Sequence, residues 1–310
     1  MGIGNRPRLG AVLVGLLLAA TAWLTLAGGR ELPPEVAGAI VFVSDRAGAP
    51  ALYWRRLPRD RERRLTFGSE PVGEPAISPD GTRVAFSMNG RIGVVAVASG
   101  QTQVLTLGVD WKDAQPAWLR DGRRLVVSAR RRPGEPASLH LIEPSADGAA
   151  TRHPLTQARA GDDASPAPSP DGTGVVFVRE DRLMRVDLAD GGVTRLSGGF
   201  KRDRSPRFLG DGRLVCAWSE RKQHGIDAID LMAKARTTLT QGGVFYRTLA
   251  PSPDGRFLVV TRSWDSGLDP LAILFGGQRE ELRLLDAAGQ ELAQLEASRR
   301  HANHSPDWGR

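Results

Sequence analysis

Ser78-Pro79-Asp80-Gly81, Leu119-Arg120-Asp121-Gly122, Ser169-Pro170-Asp171-Gly172, Leu209-Gly210-Asp211-Gly212 and Ser252-Pro253-Asp254-Gly255 are five versions of one tetrapeptide in a chain of 310 residues. Their aspartates are 41, 50, 40 and 43 residues apart. A period of about 40–50 residues is the mark of a repeat architecture. Asp-Gly between apolar runs is a strong hairpin signal, and both residues tolerate the positive φ of a tight turn. Working outward, a proline stands five residues before four of the aspartates (Pro75, Pro116, Pro166, Pro206), with Leu249 in the fifth unit. After each glycine comes a β-rich run such as Val84-Ala85-Phe86 or Val175-Val176-Phe177-Val178, then a third, alternating run, and in the first four units a closing Leu-Thr or Leu-Ser. β-branched and aromatic residues between turn signals read as strands.

Four short strands per unit is the blade of a β-propeller. The ends supply one more blade. Residues 39–66 carry three strands but lack the Asp-Gly turn, and Ser305-Pro306-Asp307-Trp308 matches the first strand of the other units, as Pro116-Ala117-Trp118 does. The expected fold is therefore all-β, a six-bladed propeller of four-stranded blades. It is closed by the C-terminal strand joining the N-terminal blade, which removes exposed sheet edges. The expected blades are 39–68 with 303–310, 73–108, 114–157, 164–198, 204–242 and 247–298, within a propeller domain of residues 31–310.

Ser-Pro-Asp-Gly followed by Val-Ala-Phe, and Phe42-Val43-Ser44-Asp45-Arg46-Ala47-Gly48 leading to Leu52-Tyr53, resemble the repeats of TolB-type six-bladed propellers. The resemblance covers roughly residues 39–310. It implies a protein-interaction role at the cell envelope, near a Tol–Pal-like system. TolB carries an α/β domain before its propeller, whereas only Arg30 to Gly38 separates the apolar N-terminal segment from the first strand here. Contacts made through that domain do not carry over.

Arg6 and Arg8 precede an uncharged run from Leu9 to Gly29. A basic start and an apolar core form the secretory signal pattern, and the run is also about long enough to anchor the chain in a bilayer. Residues 1–30 are read as a signal peptide or membrane anchor, and either places the propeller outside the cytoplasm, in the periplasm or its equivalent. The segment has no cysteine for lipoprotein attachment. The single cysteine of the chain, Cys216, falls in an apolar strand run, so no intramolecular disulfide forms.

Net charge is +7, from 42 basic and 35 acidic residues. The densest basic runs, Arg55 to Arg64 and Arg130-Arg131-Arg132, are expected in turns, as solvated loop charge or as contacts to an anionic partner. No aromatic-interleaved basic face indicates nucleic acid.

Eight residues before the turn aspartate stand Asp113, Asp163 and Asp203, with Asn303 at the matching place in the closing strand and Val72 and Tyr246 in the remaining blades. A ring at one channel mouth would hold a divalent cation or a basic peptide end; the alternative is side chains bonding nearby backbone N–H groups. His301, His304 and Asp307 have metal-like spacing, but a strand points residues three apart to opposite faces, so no metal site is assigned. The insertion from Ser263 to Glu280 carries Trp264, Leu271, Ile273 and Phe275, a partner-docking loop or a segment packed on the propeller side. The five turn aspartates are structural. No Gly-x-Ser-x-Gly nucleophile elbow is present, and catalysis is not expected. The reading is a monomeric, cofactor-free scaffold for envelope proteins; a ligand- or cation-binding sensor and, more weakly, a polysaccharide-acting enzyme are the alternatives.

Overall fold

The computed structural model describes residues 32–145, 150–157, 161–263, 280–296 and 302–309. Among them every regular element is a strand, and the strands form six four-stranded antiparallel sheets. Their innermost strands are Asn303–Gly309, Val72–Ile77, Lys112–Trp118, Asp163–Pro168, Arg202–Phe208 and Phe245–Pro251, taken here as blades 1 to 6. Each inner strand touches the next around a closed ring, and the sixth returns to the first. Five of them begin one or two residues ahead of the boundaries expected from sequence, because the residue preceding the repeat motif already pairs.

Alternation explains how the blades hold together. Gly38–Ser44, the second strand of blade 1, is buried almost throughout. Ile40 and Phe42 point into a cluster shared with blade 6, whereas Val41 and Val43 point into a cluster shared with blade 2. The other four seams each hold an apolar cluster of the same kind. Both faces of each sheet are thus covered, so the second strands are apolar on consecutive residues rather than alternate ones.

The tight turns follow a different geometry from the expected one. Only the glycine is left-handed, with φ of 72° at Gly81, 64° at Gly122 and 76° at Gly172, while the preceding aspartates keep negative φ. Gly81 N–H donates to Ser78 O at 2.8 Å, and Ser78 N–H to Arg83 O at 2.8 Å. This is a type I turn followed by a left-handed glycine. The aspartate's work is done by its side chain: Asp80 Oδ1 accepts from Ser78 Oγ, Thr82 N–H and Thr82 Oγ at 2.5, 3.0 and 2.9 Å. Asp171 repeats the arrangement with Ser169 and Thr173. The basic runs are in turns only in part: Arg59, Arg61, Arg131 and Arg132 lie between strands, and the rest do not. Arg55 and Arg56 lie within Ala51–Leu57, Arg63 and Arg64 form the edge strand, and Arg130 ends Leu125–Arg130. Outer strands have a solvated edge that tolerates long charged side chains.

The ring closes where Asn303–Gly309 pairs antiparallel with Gly38–Ser44. Gly38, at φ 113°, is required there, because a Cβ would sit 2.6 Å from Gly309 O. Trp308 is buried in the seam and its Nε1–H donates to Ala37 O at 3.1 Å. Trp118, its counterpart in blade 3, donates to Ala76 O at 3.0 Å. Asp307 reaches the other neighbour, Oδ2 accepting from Ile77 N–H at 2.6 Å.

Two outcomes are expected. Trp308→Ala should cost about 3–5 kcal/mol of stability, and Trp308→Phe less, in urea unfolding; equal losses would mean that the indole does not fill the seam. The Ser169 and Ser78 hydroxyls, followed by the Thr173 and Thr82 N–H groups, hold Asp171 and Asp80 at a pKa of about 2. A lowered carboxyl stabilises the folded state above its ordinary value of 3.8 and loses that contribution as pH falls toward 2. The melting temperature should drop across that window, and by less in the Asp80→Asn/Asp171→Asn double variant.

Candidate functional site

Asp113, Asp163, Asp203 and Asn303 stand first or second in the inner strands of blades 3, 4, 5 and 1, and all four side chains are buried. Each meets an arginine of its own blade. Arg152 Nη2 donates to both oxygens of Asp113, at 2.9 and 2.7 Å. Arg179 grips Asp163 bidentately at 2.6 and 2.8 Å, and Thr156 Oγ adds a third bond at 2.5 Å. Arg236 bonds Asp203 Oδ1 at 2.5 Å, and Arg46 Nη2 donates to Asn303 Oδ1 at 3.1 Å. The side chains point into the blades, each capped by a cation. In the two blades without the motif the position is apolar or aromatic, Val72 and Tyr246.

Blade 5 holds the densest network. Arg236 Nε also bonds Asp227, whose Oδ2 takes a second bond from Lys201 Nζ at 2.8 Å. Burial opposes the Asp227 charge, but the bonds from Lys201 and Arg236 outweigh it and hold the carboxyl below the usual range. Cys216 lies fully buried beside Asp203, and burial followed by that carboxylate pushes its thiol far up. A thiol so protonated is not a nucleophile. In blade 3, burial and then Arg152 bring His140 down to a pKa of about 4, so it is neutral beside Trp111, with ring centroids 4.4 Å apart.

The channel wall itself is set by the prolines. Proline has no N–H for the ladder and breaks the regular pairing. The residue before it takes a left-handed conformation: Glu74, Gln115, Ser165, Ser205 and Ser305 have φ between 48° and 53°. A one-residue bulge results in each strand. The inner strand of blade 6, with Leu249 in place of proline, has no left-handed residue and bulges at Arg247 instead. Two of the freed N–H groups are taken by the preceding blade: Gln115 N–H donates to Glu74 Oε2 at 2.8 Å, and Ser165 N–H to Gln115 Oε1 at 2.7 Å. These residues line a central cavity of about 300 Å³ together with Arg204, Arg207 and Arg247.

The chain matches no family model. A TolB homolog of Chlorobium luteolum is 33% identical over 141 residues, covering 45% of this chain and 31% of that protein. This match spans about a third of the relative's length. The crystal structure of TolB from Acinetobacter baumannii superposes with a TM-score of 0.73 at 18% identity, covering 98% of this chain and 74% of the other. The propeller is TolB-like. An oligogalacturonate lyase in complex with manganese shares the fold too, with a TM-score of 0.61 at 17% identity over 84% of this chain and 75% of the lyase. At such identities the superpositions report architecture, which TolB and the lyase share.

Among the described residues of this TolB-like ring, no three His, Cys, Asp or Glu side chains converge as metal ligands. Trp264, Leu271, Ile273 and Phe275 lie outside the described residues, as do His301 and the apolar N-terminal run. Of the described residues, no helix is long and apolar enough to cross a membrane. Sequence reasoning missed the capping arginines, since Arg152 and Arg236 come from outermost strands and Arg179 from a second strand. It also missed Arg204 and Arg247, although both stand seven residues before a turn aspartate, one place beyond the offset that was counted.

Arg236→Ala strands Asp203 and Asp227 without their shared cation and should cost about 3–5 kcal/mol in urea unfolding. The triple variant Arg236→Met/Asp203→Leu/Asp227→Leu should recover most of that loss; no recovery would show that the network contributes more than mutual neutralisation.

Proposed function

We propose that this chain is a non-catalytic, exported TolB-like propeller that presents its channel mouth and inter-blade loops to protein partners at the cell envelope. The observation that carries the reading is the capping of Asp113, Asp163 and Asp203 by arginines of their own blades. Carboxylates held in this way stabilise a rigid rim rather than wait for a proton or a metal ion, and a rigid rim of loops suits recognition. Arg6, Arg8 and the run from Leu9 to Gly29 support export, with cleavage or retention as an anchor both compatible. The repeat likeness supports a place beside a Tol–Pal-like system, with a single propeller as the acting unit and no cofactor required. In-cell crosslinking of the full-length chain followed by affinity capture tests this. Recovery of a peptidoglycan-associated lipoprotein is the expected result. Capture of no envelope protein, alongside turnover of an oligosaccharide by the purified chain, would replace the scaffold with an enzyme.

A further inference from the structure

A cleft of about 690 Å³ lies between blades 5 and 6, lined by Arg202, Arg204, Arg221 and Arg247 with Phe200 and Phe245. It opens on the face that carries the blade-to-blade loops. Glu220 is the one acid among the lining residues. Arg204 and Arg247 also line the central cavity, so the two spaces are neighbours. Both guanidinium groups lie against Phe245, 5.4 and 5.9 Å from its centroid, and His224 meets the same ring edge-on.

The arginines are held loosely enough to accept a ligand. Asp181 faces Arg202 and Arg204 at 3.6 and 3.8 Å, beyond hydrogen-bond distance. Arg221 has no ion-pair partner among the described residues, and Arg247 bonds Glu280 at 2.8 Å. Incoming carboxylates can therefore bond Arg202, Arg204 and Arg221 without leaving a buried acid unpaired. Apolar contact is available alongside. Phe200 is 87% exposed at the rim, and Phe67 and Leu107, each 77% exposed, continue the apolar character in the inter-blade loops of the same face. Exposed aromatic side chains beside arginines are the composition of interface anchors. A lone small anion would use the charge and leave the phenylalanines and most of the volume unfilled.

We propose that this cleft binds an acidic peptide segment carrying aliphatic or aromatic side chains, its carboxylates on Arg202, Arg204 and Arg221 and an apolar side chain against Phe200. The proposal rests on the reading of the chain as a partner-binding propeller and specifies the partner's chemistry. A fluorescein-labelled dodecapeptide of repeating glutamate-glutamate-leucine, titrated into the full-length chain by anisotropy, provides the test. Saturable binding is expected, weakened roughly tenfold or more by Arg204→Glu/Arg221→Glu and several-fold by Phe200→Ser. Phe200 is exposed enough that its loss leaves folding intact. Arg123→Glu, at a turn on the opposite face, should leave the affinity unchanged. Equal weakening by Arg123→Glu, no effect of the double variant in a chain with native melting behaviour, or displacement of the peptide by an oligouronate of the same charge at equal concentration would overturn the proposal. Envelope crosslinks that persist in the double variant would also overturn the cleft while leaving the scaffold reading in place; their absence from the unaltered chain would remove the scaffold reading itself.

Discussion

Antiparallel pairing between Asn303–Gly309 and Gly38–Ser44 is the contact on which the remaining blades depend. A propeller buries its apolar surface between sheets, so a ring with one open seam leaves two sheet faces wet. Here the closing seam covers Ile40, Phe42, Phe257, Leu282 and Trp308. The same strand also ties blade 2, through Asp307 and the Ile77 N–H group. Burial pushes the Asp307 carboxyl up, while Arg207 and that N–H group pull it down, and burial prevails. Residues more than 250 positions apart in sequence thus complete one sheet, a topology whose loop-closure entropy is offset only when all six interfaces form together.

A second constraint is local. Proline at the same place in five inner strands removes a ladder donor, and the residue before it, never a glycine, lies in the left-handed region. Such a conformation is costly for an ordinary side chain. Part of that cost is offset by the bonds from Gln115 and Ser165 N–H to side chains of the preceding blade. The bulge therefore links neighbouring blades around the channel, where sheet hydrogen bonds do not cross.

Much of the architecture was legible in sequence because turns and strand periodicity are local. The Asp-Gly spacing located the turns, and the unmatched ends implied the shared first blade. The conformation of Asp80 was not legible, since its side chain rather than its φ stabilises the turn. The arginine caps escaped for another reason: Arg152 lies 39 residues from Asp113 and Arg179 only 16 from Asp163. Repeat units conserve backbone position, while the charge that neutralises each aspartate arrives from whichever strand can reach it. Arg55 and Arg63 show the converse limit, as a basic run reads wholly as a turn until the two outer strands at its ends are placed.

Seven residues before the turn, blades 2, 3 and 4 carry Gly73, Ala114 and Ala164, whereas blades 5, 6 and 1 carry Arg204, Arg247 and His304. Blade 2 stands opposite blade 5, so Glu74 lines the cavity on the side opposite Arg204 and Arg207, its carboxylate bonded to the Gln115 N–H of blade 3. The scaffold has near sixfold geometry, but its interior is an electrical dipole lying crosswise to the channel axis. A rotationally repetitive frame thus carries a charge distribution without rotational symmetry, with arginine on one side of the opening and glycine and alanine on the other.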